Sequence, residues 1–206
     1  MYRIYFNQRC LAVCSPKHAA LSEPDAVIYS PEIHPPLAEL ARYFDQTPTL
    51  EKLYISTEDK PGTIARITSD LTPITAAGGI VTNKKGEYLI IFHHGVWDFP
   101  KGMQEPDEEI GNTAIREVEE ECGVHDLKIL NYLSDTFHTY HRNGLFYLKT
   151  THWYLMEYQG NGTETHPQQE EEIERAIWVP ARELPTYLDT SYPAIRYLYQ
   201  RALSTT

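Results

Sequence analysis

Apolar and polar positions alternate along the first fourteen residues. Tyr2 to Phe6 and Cys10 to Cys14 each read as a strand, with Asn7-Gln8-Arg9 as the hairpin turn between them. Ala26 to Ser30 (AVIYS) predicts a short strand. The spacing then changes from two to three and four: Leu37, Leu40, Ala41 and Phe44 predict a helix opened by Pro35-Pro36. Proline suits a first turn, where its missing N–H has no helical partner. Leu53 to Ser56 predicts another strand, and Ile64, Ile67, Thr68 and Leu71 another helix after Pro61-Gly62. From Thr72 to Gly79 the periodicity lapses into proline, small residues and the pair Gly78-Gly79. That lapse predicts a boundary between a small N-terminal α+β domain at 1–72 and a main domain at 73–206.

The main domain predicts a strand from Gly79 to Thr82, a turn at Asn83-Lys84-Lys85-Gly86 and a strand from Glu87 to Phe92. WDFPKG (97–102) leads into a loop. A helix is predicted from about Glu109 to Cys122, with Gly123 placed for a left-handed cap. Strands are predicted at about 127–139, 145–158 and 173–179. A last helix spans about 192–203, its apolar stripe formed by Ile195, Leu198 and Tyr199.

Composition narrows the function. The chain has 206 residues with 41% hydrophobic and 23% charged residues, which fits a folded domain rather than a disordered chain. No apolar run approaches the ~18 residues of a membrane span, and the N-terminus lacks the apolar core of a signal peptide. Three cysteines, Cys10, Cys14 and Cys122, are too few and too widely spaced for a disulfide framework. Together these point to the cytoplasm. Eighteen Lys and Arg against 29 Asp and Glu give a net charge of −11. That charge argues against nucleic acid or an anionic membrane as partner, because phosphate contacts need cations.

The charge is not spread evenly. Residues 105–121 hold eight acids and one base, and residues 170–175 four acids and one base. The first cluster lies in GMQEPDEEIGNTAIREVEEECGV, Gly102 to Val124. On a helix, Glu117, Glu120 and Glu121 share one face. Carboxylates about 6 Å apart repel by roughly 3 kcal/mol per pair at an effective dielectric of 20. They also lie near the helix C-terminus, where the dipole disfavours anions. Such a face calls for a cation, and oxygen ligands without His or Cys favour Mg²⁺, with Mn²⁺ as a substitute.

The spacing of Gly102, Glu108, Arg116-Glu117, Glu120-Glu121 and Gly123 resembles the Nudix box, and every fixed position is filled. AAGGIV before it and AIWVPARELP after it extend the likeness over about 76–190. The resemblance implies an α+β protein: an α/β/α sandwich with a mixed sheet, plus the small N-terminal α+β domain. It also implies a Mg²⁺-dependent pyrophosphohydrolase acting on a nucleoside diphosphate linked to another group X, or on a related polyphosphate. Glu117, Glu120 and Glu121, with the Gly102 carbonyl, match the family's metal ligands. Glu108 and Arg116 match its structural pair. Glu117 and Glu120 are candidates for general base. A later loop often adds a carboxylate, for which Glu172 is the first choice and Glu171 the second.

The PKG form of the loop and the KTTHWYLM strand resemble relatives acting on dinucleoside polyphosphates or diphosphoinositol polyphosphates. Lys101 and Lys149 are then candidates to meet phosphate, and Tyr140 to stack on a base. The partner expected is a small phosphorylated substrate, and the N-terminal domain is a candidate homodimer interface. The competing reading is a non-catalytic metabolite sensor built on the same fold. His93-His94 read as polar residues at a strand end, because neighbours in a strand face opposite ways. Cys122 beside the acidic cluster is a poor nucleophile, because nearby carboxylates disfavour a thiolate.

Overall fold

A computed structural model describes residues 1–203. They form two compact units. The first holds 1–73 together with 137–149, and the second holds 74–136 and the chain from 150 onward. Among the described residues, no helix is long and apolar enough to cross a membrane.

In the first unit, β1 (Tyr2–Phe6) and β2 (Arg9–Cys14) form the expected hairpin, with Asn7 taking the positive φ its turn needs. β3 (Lys52–Ser56) lies parallel to β2. A parallel neighbour needs a long crossover, and residues 15–51 supply it, including α1 (Leu40–Gln46). α2 (Lys60–Ile67) follows, capped by the Asp59 carboxylate, which accepts from the Gly62 N–H at 2.9 Å. β1 also pairs in parallel with the far end of β8 (Leu127–Arg142), Ile4 opposite Phe137.

Alternation decides the core. Ile4, Phe6, Leu11, Val13, Leu53 and Ile55 pack with Leu40, Phe44 and Ile67 from the two helices, and Phe146 closes the cluster. Arg9 seals the end of α1. Its guanidinium donates to the carbonyls of Phe44 (2.6 Å), Thr47 (2.9 Å), Asp45 (3.1 Å) and Leu50 (3.3 Å). The predicted strand at 26–30 shrinks to one bridge, Ile28 to Tyr54. Pro31 lacks the N–H that would extend the pairing.

The second unit adds β4 (Thr72–Thr82), β5 (Glu87–His93), β6 (Val96–Asp98), β7 (Lys101–Met103), β9 (Leu145–Tyr158) and β10 (Ile173–Pro180). Its sheet runs β10-β5-β4-β9-β8, with β6 on β5 and β7 on β4. α3 (Ile110–Cys122) contributes Ala114, Val118 and Cys122 to one hydrophobic core, which also takes in Val81, Leu89 and Met156. α4 (Leu184–Leu188) and α5 (Pro193–Leu203) build a second core with Ile80, Ile90 and Trp153, whose strand neighbours point the other way. The result is the expected α/β/α sandwich on a mixed sheet. α4 has no counterpart in the predicted elements.

Thr72 to Gly79, where the periodicity lapses, is the first part of β4. The glycine pair serves close packing: a Cβ at Gly78 would strike the Pro100 carbonyl and Lys101, and one at Gly79 would strike Met156. The segment 97–102, which leads into the predicted loop, carries most of the short strand β6 and the start of β7. β7 lies on β4 with Lys101 opposite Gly78.

Candidate active site

α3 is the spine of the site. Its apolar side faces the sheet, which leaves the glutamates at its flank. Glu117 and Glu121 are 5% and 4% exposed, whereas the Glu120 side chain is 47% exposed. Burial pushes both inner carboxyls up, since it disfavours the charged form. At Glu117, Arg116 opposes the burial, and the charges of Glu171 and Glu120 add to it. At Glu121, burial outweighs the Lys101 charge and backbone N–H, and the group is pushed up to about 8.

The helix end brings in the second acidic segment. Gly123 takes φ 65° and its N–H donates to the Glu119 carbonyl at 2.8 Å. The next open carbonyls are met by a later loop: His166 N donates to Cys122 O (2.7 Å), and Gln168 N to Glu121 O (3.2 Å). That loop runs directly into Glu170-Glu171-Glu172.

Arg116 is the hub. Its Nε and Nη2 hold both Glu108 oxygens (2.8 and 2.9 Å), and Nη2 also reaches the Met103 carbonyl (3.0 Å). Its Nη1 donates to Glu117 Oε1 (2.8 Å) and Glu120 Oε2 (2.9 Å). The Arg116 hydrogen bonds hold Glu108 down at about 2 against some desolvation, helped by Thr113 Oγ1 and the Glu105 N–H. Glu108 and Arg116 therefore tie the loop 103–108 to the helix. The same guanidinium bridges Glu117 and Glu120.

Gly102 sits where a side chain has no room, because a Cβ there would overlap the Glu117 carboxylate. Lys101 differs from the phosphate-reaching loop lysine the sequence suggests. Its ammonium points inward, 2.9 Å from Asp98 Oδ2, and its side chain is 17% exposed. Desolvation works against that charge, but Asp98 and Glu121 outweigh it and hold the lysine cationic. The Lys101 N–H donates to Glu121 Oε2 at 2.7 Å.

Asp98 is the residue that sequence reasoning missed. A carboxylate three residues before a lysine, at the end of an apolar strand, was the available signal.

Glu171 and Glu172 part company. Glu172 ends a 3₁₀ turn in the left-handed region (φ 59°) and faces His94 Nδ1 at 3.6 Å. It lines a cleft of about 560 Å³ with His94 and Glu174. Glu171 is the loop acid whose charge acts on Glu117. Tyr140 and Lys149 belong to the first unit, outside the unit that holds the glutamates. Tyr140 stacks between His138 and Tyr147 there. Cys122 is fully buried, and burial pushes its thiol well up, which fits an inert core residue.

Among the described residues, no three His, Cys, Asp or Glu side chains converge as a ready ligand set. Arg116 takes the position of a cation between Glu117 and Glu120. The donors nevertheless fit a hard divalent ion: oxygens only, two carboxylates buried against their own charge, and a glycine whose missing Cβ opens the space beside them. The whole net charge of −11 also lies in this unit. The first unit has nine bases and nine acids, the second nine and twenty.

Comparisons with known proteins bear on the family and the fold. The sequence profile of the NUDIX domain matches residues 72–202. The chain is 59% identical over 55 residues to human nucleoside diphosphate-linked moiety X motif 6, covering 25% of this chain and 17% of that protein. It is 32% identical over 114 residues to Nudix hydrolase 6 of Arabidopsis thaliana, covering 52% and 38%. The chain thus spans well under half the length of these relatives. Among solved structures, a C. elegans Ap4A hydrolase binary complex superposes with TM-score 0.52 at 22% identity, covering 64% of this chain and 96% of that one.

Proposed function

The chain belongs to the NUDIX domain family, and from that premise we propose that it is a divalent-metal-dependent pyrophosphohydrolase. The bond cut is a phosphoanhydride in a nucleoside diphosphate linked to X or a related polyphosphate. The observation that carries this reading is the group of Glu117, Glu120 and Glu121 on one helix flank, two of them buried beneath the Gly102 turn.

Glu117, Glu120, Glu121 and the Gly102 carbonyl would hold the metal. When bound, Mg²⁺ or Mn²⁺ supplies charge neutralisation at phosphoryl oxygens and a lower pKa for the attacking water. Glu120, the most exposed of the three, would take a proton from that water, with Arg116 holding its Oε2. Glu171 reinforces the site from the later loop and is preferred to Glu172, which turns toward His94. Glu108 and Arg116 hold the loop in register and do not act on substrate. The likeness to the human relative supports a nucleoside-diphosphate-linked substrate. Dinucleoside polyphosphates and diphosphoinositol polyphosphates remain the favoured members of the class.

The test is release of phosphate, pyrophosphate or nucleotide with Mg²⁺ or Mn²⁺ across dinucleoside polyphosphates, nucleotide sugars, modified dNTPs and diphosphoinositols. Turnover that stops with EDTA is expected. A flat response across the panel would transfer the reading to a metabolite sensor.

A further inference from the structure

Asp98 is 5% exposed, lies outside the box and has no part in the ligand set just described. A buried carboxylate is costly unless it is paired. Both of its oxygens are engaged. Oδ1 accepts from the Phe99 N–H at 2.7 Å, and Oδ2 takes the Lys101 ammonium at 2.9 Å. The pair therefore closes a ring over the turn 98–101. The middle of that turn is fixed separately: the Pro100 carbonyl accepts from Gly79 N at 3.1 Å, and Gly78 has no Cβ to push it away.

With its side chain drawn inward, Lys101 presents its backbone to α3, and its N–H meets Glu121 Oε2 at 2.7 Å. The next residue, Gly102, lies against Glu117. A short chain of contacts thus runs from Asp98 through Lys101 to the buried glutamate. A lysine released to solvent would leave the turn without its inner anchor and Glu121 without a fixed donor.

We propose that Asp98 is a positioning residue for the metal-binding carboxylate Glu121, acting through Lys101 to fix the turn whose backbone N–H orients it. The proposal rests on the metal-dependent hydrolase reading. It assigns the inward lysine a structural task in place of phosphate binding.

Mn²⁺ binding to the full chain, followed by electron paramagnetic resonance without substrate, tests it. Asp98→Asn is expected to weaken Mn²⁺ binding by about 10-fold or more, the usual effect of losing an outer-shell partner. With a substrate found by the panel, kcat is expected to fall while KM holds. The decisive comparison is made in a Glu121→Ala background, which leaves the Lys101 N–H no side-chain acceptor. There Asp98→Asn should change Mn²⁺ binding less than twofold, because the contact it supports is already gone. A purely structural contribution would weaken binding equally in both backgrounds. If Asp98→Asn alone misfolds around the orphaned ammonium, Asp98→Asn/Lys101→Met removes both charges and is read the same way. Mn²⁺ binding within twofold of wild type in a folded variant, or an equal loss in both backgrounds, overturns the proposal. Failure of the wild type to bind Mn²⁺ overturns the hydrolase reading instead.

Discussion

Raising the pH of the metal-free protein from about 5 to about 9 should destabilise it, and Glu121→Gln should remove most of that effect. Glu121 has an ordinary value of 4.5 and is pushed up to about 8 by burial, with Lys101 opposing. The folded state therefore holds this proton more tightly than the unfolded chain does. Its contribution to stability is complete below pH 4.5 and is lost as pH rises through about 8. The full linkage is worth about 5 kcal/mol, and relaxation with water entry reduces the expected loss to about 2–3 kcal/mol. For a chain of this size that is a drop of about 4–12 °C in Tm.

Glu108 works at the opposite end. Its value of about 2 contributes stability above pH 4.5 that is lost as pH falls through about 2, so the two groups bracket a maximum on the acid side of neutral. The assay is thermal unfolding in EDTA at about pH 5, 7 and 9 for wild type and Glu121→Gln, repeated with Mg²⁺. Mg²⁺ binds the ionised carboxylates and should flatten the alkaline fall. Glu117 is raised as well, so a small slope should survive in the variant. A flat wild-type profile, or an undiminished slope in Glu121→Gln, refutes the reasoning.

Other variants probe separate links. Glu120→Gln should lower kcat by about 10²–10⁴ with Tm unchanged, since the side chain is half exposed, and wild-type turnover would remove Glu120 from the base role. Glu171→Gln should slow turnover more than Glu172→Gln, and the reverse order would return Glu172 to the site. Gly102→Ala should lose Mn²⁺ binding in calorimetry because its methyl group displaces the Glu117 carboxylate, and unaltered binding would contradict the packing. Arg9→Ala should cost about 2–4 kcal/mol in urea unfolding by uncapping α1, and a change under about 0.5 kcal/mol would show those carbonyls well hydrated.

Local chemistry was legible in the sequence wherever one element settles it. The i, i+3, i+4 spacing put Glu117, Glu120 and Glu121 on one flank, and Gly123 takes the left-handed cap its position implied. Contacts between distant segments were not legible. Gly78-Gly79 reads as part of a domain boundary until β7 is laid against β4, when the missing Cβ atoms become clearance for Pro100 and Met156. Lys101 reads as a phosphate-reaching loop cation because its partner Asp98 matters only after the 99–100 turn folds back. Position along the sequence favours Glu172 over Glu171, and the positive φ at Glu172 sets the two apart in the fold.

The strands β8 and β9 carry a consequence for the order of synthesis. The first unit takes Phe137, Phe146 and Leu148 from the tip of that hairpin, yet the tip is encoded more than sixty residues after the rest of the unit. At about 5–20 residues per second, a ribosome needs about 4–15 s to add residues 74–149 once residue 73 is made. During that interval Ile4, Phe6 and Phe44 wait for Phe146, and the core they share is incomplete. A gene cut at residue 73 would make the wait permanent: one fragment would lack a core aromatic, and the other would expose it.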